Sequence, residues 1–110
     1  MATNQILKFH KKHIQFTYTD GDYWVAIKTV CQALRLNYEN QRKKVHNNIV
    51  LGKQLRKIKM VAADGKSRLM LCLPKTYVYG WLLEIRCQRP DFYKFKWDCY
   101  LQLKNHFENQ

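Results

Sequence analysis

The sequence predicts an α+β fold: two β-hairpins with a short helix pair, laid out like a helix-turn-helix, between them, and two C-terminal helices. Two patterns carry this prediction. Apolar residues alternate with polar ones on either side of two Asp-Gly turns, and they switch to helical spacing after Ile27 and again after Pro74.

Ile6 to Phe9 and then Ile14 to Tyr18 alternate with period two, with Ile14, Phe16 and Tyr18 pointing one way and Gln15, Thr17 and Thr19 the other. Asp20-Gly21-Asp22 is a turn signal, and Tyr23 to Ile27 resumes the extended run, so a hairpin is expected at the start. Ile27, Val30, Cys31 and Leu34 then recur at helical spacing, a short helix from about Lys28 to Leu34. Arg35-Leu36-Asn37 breaks it. Asn37 can accept a hydrogen bond from a free backbone N–H, which makes it the cap of a second helix from Tyr38 to about His46.

The second hairpin runs from Leu55 to Ala62, turns at Asp64-Gly65 and returns from Ser67 to Leu73, where Pro74 stops it. Tyr77, Val78, Trp81, Leu82 and Ile85 mark the buried stripe of the next helix. Pro90 and Asp91 supply the fixed φ and the negative charge that favour a helix start, and a final helix is expected from Asp91 to His106.

At 110 residues the chain is expected to be one domain, 1–110, and its 46% hydrophobic content supports a packed core rather than disorder. Charge is more informative. Lys and Arg number 20 against 8 Asp and Glu, a formal charge of +12. Such an excess repels itself, so a polyanionic partner is the simplest compensation: DNA or RNA first, then an acidic protein or an anionic membrane surface. No segment approaches the roughly 20 apolar residues of a membrane span, and no apolar leader core opens the chain. The cytoplasm is the expected compartment. Cys31, Cys72, Cys87 and Cys99 lie far apart without metal-ligand spacing and read as reduced, mostly buried thiols. No metal or cofactor is expected.

Between Gln41 and Lys59 stand seven Lys and Arg residues and no acidic ones: Arg42, Lys43, Lys44, Lys53, Arg56, Lys57 and Lys59. The first three share the second short helix with Asn40 and Gln41. Lys and Arg can neutralise phosphates, while Asn, Gln and Arg can read base edges. Helix, three-residue turn and basic helix is the layout of a helix-turn-helix, although Arg35 stands where a left-handed turn favours glycine. The alternative is a solvated helix with its charges in water. Lys53, Lys57 and Lys59 share strand parity and Arg56 opposes them. These four are expected to hold phosphates, or else to guard an edge strand against aggregation.

Catalytic chemistry has no visible constellation. The eight acids, Asp20, Asp22, Glu39, Asp64, Glu84, Asp91, Asp98 and Glu108, are scattered, and no Gly-rich phosphate loop is present. A binding protein is expected, not an enzyme. The final helix carries more aromatic residues than one buried stripe needs. Tyr93, Trp97, Tyr100 and Phe107 are either a self-association surface, giving a homodimer, or fully buried.

The runs YWVAIKTVCQALRLNYENQRKKV (Tyr23 to Val45), VAADGKSRLMLCLP (Val61 to Pro74) and YVYGWLLEI (Tyr77 to Ile85) resemble the phage antirepressor amino-terminal domain, a relative of the BRO amino-terminal domain of large DNA viruses. The resemblance implies a phage or prophage transcription regulator whose amino-terminal domain binds DNA. Some such proteins act by binding and disabling a repressor, so a repressor or host protein is the alternative partner. Many carry a separate carboxy-terminal domain, and the chain is expected to be either a stand-alone module or a piece of a longer protein. The family implies no catalytic set, and its members commonly hold glycine at the position of Arg35.

Overall fold

The computed structural model describes residues 3–62 and 64–109. Among them lie β1 (Thr3–Phe9), β2 (Lys12–Thr19), β3 (Asp22–Ala26), α1 (Ile27–Ala33), α2 (Tyr38–Asn47), β4 (Arg56–Val61), β5 (Ser67–Pro74), α3 (Lys75–Glu84) and α4 (Phe92–Glu108), with a 3₁₀ turn at Leu51–Lys53. The expected α+β class and element order hold. The start differs in one respect: it is a three-stranded meander, because His10 turns the chain between β1 and β2 with φ +53°. No glycine marks that turn. The next one is marked, with Asp20 at φ +52° and Gly21 at φ +79° between Thr19 and its partner Asp22, the positive-φ pair a two-residue hairpin of type I′ requires.

All five strands form one antiparallel sheet in the order β1-β2-β3-β5-β4. The second hairpin therefore joins the first through β5, by the pairs Trp24–Pro74, Val25–Leu73 and Ala26–Cys72. There the pairing stops, because β3 passes into α1 after Ala26. Residues 67–71 of β5 keep β4 on one side and have no strand partner on the other among the described residues. This gap positions the site described below.

One sheet face carries the main core. Ile14 and Phe16 of β2, Val25 of β3 and Leu73 of β5 are fully buried with Val78 and Leu82 of α3 and with Phe92, Cys99 and Leu103 of α4. Each such apolar side chain contributes about 1.5–3 kcal/mol by leaving water. Alternate strand residues supply the other face, where Ala26, Ile58, Met60 and Cys72 form a smaller cluster against Trp24 and Met70. In α4 the buried positions are Phe92, Lys96, Cys99, Leu103 and Phe107, a single stripe at helical spacing. Lys96 ends the stripe's polarity problem by donating to the Ile85 carbonyl at 3.0 Å and the Leu83 carbonyl at 3.4 Å, closing the end of α3. Burial lowers its pKa from the usual lysine range, and Arg86 adds to the effect.

A buried polar link ties the two hairpins together. The Gln15 backbone N–H donates to Thr29 Oγ1 at 3.0 Å, and that hydroxyl donates to the Ala26 carbonyl at 2.7 Å. The Gln15 side-chain amide donates to the Val61 carbonyl at 2.6 Å, reaching from β2 to the end of β4. All four cysteines are free, and burial pushes the Cys31, Cys72 and Cys99 thiols up to about 12, so they stay protonated. No helix among the described residues is long and apolar enough to cross a membrane.

Candidate nucleic-acid interface

The junction of α1 and α2 is built as the sequence requires, with one substitution in kind. Leu36 N–H bonds to the Cys31 carbonyl at 2.8 Å and Arg35 N–H to the Gln32 carbonyl at 3.3 Å, the paired bonds of a Schellman cap. Arg35 adopts the left-handed conformation such a cap needs, with φ +57°. The Arg89 guanidinium donates to the Leu34 carbonyl and steadies the turn from outside. Asn37 then caps α2, its Oδ1 accepting from the Asn40 N–H at 2.9 Å.

These caps fix which way α2 faces. Gln41 and Val45 turn inward. Gln41 is 7% exposed and accepts a hydrogen bond from Trp81 Nε1 at 3.2 Å, so its expected place at base edges is corrected: its amide serves the interior. Arg42 is half-buried and bonded to Glu39 at 2.8 Å, and that bond holds the Glu39 carboxyl below its usual range. Asn40, Lys43 and Lys44 are exposed. Lys44 also borders a hollow of about 190 Å³ between α2 and the end of α3, with Glu84 and Arg86 across from it.

The expected phosphate-holding strand divides. Lys57 and Lys59 are exposed on one face of the edge strand β4, opposite Leu71 and Leu69. Lys53 lies in the 3₁₀ turn, outside the strand, so strand parity does not apply to it. Arg56 faces the other side of β4. It lies over the Trp24 ring, 5.3 Å from its centroid, and pairs with Asp20 at 2.5 Å, fastening the second hairpin to the turn of the first.

The larger feature opens where β3 gives way to α1. A cleft of about 360 Å³ separates α1 and α2 from the β4–β5 hairpin, with Lys28, Arg42, Lys57 and Arg68 around Tyr38, Leu69, Met70 and Leu71. Lys28, Arg68 and Met70 also line a second hollow of about 440 Å³, together with Lys11 of the β1–β2 turn and Lys12 and His13 at the start of β2. Lys11 and Lys12 border a third, of about 560 Å³, shared with His10 and Arg35. The three are linked by common residues into one cationic face. Among the described residues three carboxylates attend it: Glu39 on Arg42, Asp64 on Arg68, and Asp98 beside His10 at 3.4 Å. The Asp64 carboxyl is held low chiefly by the Lys66 backbone N–H and further by Arg68.

Local charge density identified Arg42 and Lys57 of this face and missed Lys11, Lys12, Lys28, Arg35 and Arg68. Those five stand apart in sequence, and only the sheet order brings them together. Among the proposed self-association residues, Tyr93 and Trp97 are 50% and 53% exposed, and Trp97 stacks on half-buried Tyr100 with ring centroids 5.1 Å apart. Phe107 is corrected: it is 3% exposed, packed edge-on to Phe16 and stacked on Tyr23, and has no surface to offer a partner. Among the described residues no group of three or more His, Cys, Asp or Glu could hold a metal ion.

An antiparallel sheet with helices over one face and a cationic cleft at its interrupted strand defines a small basic α+β binding scaffold. The model of the P22_AR N-terminal domain matches residues 5–110, and the chain belongs to that family of phage antirepressor amino-terminal domains. Membership makes it a phage regulatory module. No curated protein and no solved structure matches the chain.

Proposed function

We propose that the chain is a DNA-binding regulatory module, a binding protein rather than an enzyme, which contacts nucleic acid through the cationic cleft face and the exposed side of α2. The observation that supports this is convergence. Lys11, Lys12, Lys28, Arg35, Arg42, Lys57 and Arg68 come from separate segments and border connected hollows on one face. Gathering like charges costs folding free energy, and a polyanion offsets that cost on binding. Lys43, Lys44 and Asn40 extend the surface along α2, where a groove edge is within reach of polar side chains. The cytoplasm of a bacterial host is the compartment where such a module meets phage and host DNA.

Binding to random duplex DNA across a salt series tests the reading. With about six phosphates neutralised, affinity should fall by roughly a thousandfold between about 50 and 200 mM salt. Replacing Lys11, Lys12 and Lys28 with alanine should flatten that dependence, and so should replacing Arg42, Lys43 and Lys44. Absence of binding at low salt, or an affinity indifferent to salt, rejects the proposal.

A second reading has its own observation. Tyr93, Trp97 and Leu101 form an outward apolar stripe on α4, each half-exposed, away from the core stripe. Such a surface suits a protein partner, a repressor, a host factor or a second copy of the chain. It predicts a stable complex, with one acidic protein or as a dimer of this chain, that Trp97→Ala abolishes, together with no DNA shift at physiological salt.

A further inference from the structure

We infer that the cleft between α1–α2 and the β4–β5 hairpin holds an unpaired base, so that the chain binds single-stranded or locally opened nucleic acid more tightly than intact duplex. This rests on the nucleic-acid reading above and specifies the form of the ligand.

The cleft is amphipathic in a particular arrangement. It is lined by Lys28, Arg42, Lys57 and Arg68 together with Tyr38, Leu69, Met70 and Leu71. Paired nucleic acid presents its phosphates and sugars and keeps its base faces stacked inside. The four cations alone would serve that polymer, and the apolar lining between them would have no partner. An unpaired nucleotide carries both complements, a phosphate for the cations and a flat apolar face for the apolar lining. The volume, about 360 Å³, is in the range of hollows that enclose small molecules and suits a single nucleoside. A duplex can only lie across it.

Leu69 strengthens the case. It is 68% exposed, on a strand face whose neighbours across the pair are Lys59 and Lys57. The core makes no use of a leucine there, and burying it takes a ligand. Tyr38 offers a ring next to a charge, since Lys28 Nζ lies 5.9 Å from its centroid. The walls are also held without a ligand. The cleft exists because β3 ends at Ala26, and the bonds from Gln15 to Thr29 and to the Val61 carbonyl tie its opposite sides together.

The test compares three end-labelled probes by fluorescence anisotropy at one moderate salt concentration: a thymidine strand of about 12 nucleotides, a site size typical of single-strand-binding folds, the same strand paired in a duplex, and an abasic strand with the same phosphates. Single strand should bind about tenfold more tightly than duplex, and the abasic strand should lose about as much, the effect of removing base contacts. Leu69→Ser should erase the single-strand preference and leave duplex affinity unchanged, and the unfolding midpoint of that variant should match the parent. Lys28→Gln should weaken all three. An abasic strand that binds as well as the thymidine strand, or a duplex that binds at least as tightly, overturns the base pocket while leaving nucleic-acid binding in place. Failure of all three probes to bind, there and on repeating the titration at low salt, removes both readings.

Discussion

The hairpins β2–β3 and β4–β5 use the same turn chemistry, an aspartate followed by a glycine in the left-handed region, with Gly21 at φ +79° and Gly65 at φ +82°. They differ in what surrounds them. In the first, Phe16 and Val25 lie under the helices while Gln15 and Thr17 are buried on the opposite face. In the second, Ile58, Met60 and Cys72 are buried on one face, and Lys57, Lys59 and Leu69 stand in the open on the other. The same Asp-Gly signal thus marks a two-residue turn between Thr19 and Asp22, closing a strand pair buried on both faces at its centre, and a longer connection between Val61 and Ser67, closing one that is half surface. Local turn preference decides where a chain reverses. Which residues become scaffold and which become contact surface is decided by the layers that cover the strands afterwards.

The largest test of this contrast is a pair of alanine substitutions. Phe16→Ala should lower stability by about 3–5 kcal/mol, because it opens a cavity in the core. Leu69→Ala should change stability by less than about 0.5 kcal/mol, as an exposed substitution does. Urea unfolding midpoints measure both, and equal losses would abolish the distinction between the hairpins.

Gln15→Ala addresses the link between them. Loss of the bond to the Val61 carbonyl should cost about 1–3 kcal/mol, and amide exchange should accelerate in β4 more than in β2. Uniform acceleration in the two strands would mean that the hairpins open as one body.

The smallest effect concerns charge beside the second hairpin. Glu39→Gln should free Arg42 and tighten binding of DNA at low salt by about twofold, as expected for loss of one exposed ion pair. Acid should act in the same direction. The Glu39 carboxyl is depressed in the folded chain by Arg42, so its pairing stabilises the fold above the ordinary carboxylate pKa and is lost as pH falls through the depressed value. Affinity should rise over that interval in the parent and rise less in Glu39→Gln, where the Asp64–Arg68 pair is still left to titrate on that face, measured by anisotropy across an acid pH series.

Much of the fold was legible because it depends on neighbours in sequence. Asp20-Gly21 and Asp64-Gly65 announce their turns, Asn37 announces α2, and Val78, Trp81 and Leu82 show their helical stripe. The turn at His10 was not legible, since histidine carries no marked preference for a positive φ comparable with glycine's. The site was legible only where cations adjoin. Lys28 looks like an ordinary helix lysine until β5 is placed beside α1, and Arg56 looks like a phosphate ligand until Trp24 and Asp20 occupy it. Gln41 reads as a groove contact because nothing in sequence ties it to Trp81, forty residues away.

Arg35 occupies a backbone conformation that every side chain makes harder to hold and that glycine would hold with less strain. A glycine there would give a sturdier turn and one positive charge fewer on the cationic face. Backbone ease and surface charge therefore pull this one position in opposite directions: a glycine settles it in favour of the turn, and the arginine settles it in favour of the charged face, with the Arg89 guanidinium on the Leu34 carbonyl bracing the turn it leaves strained.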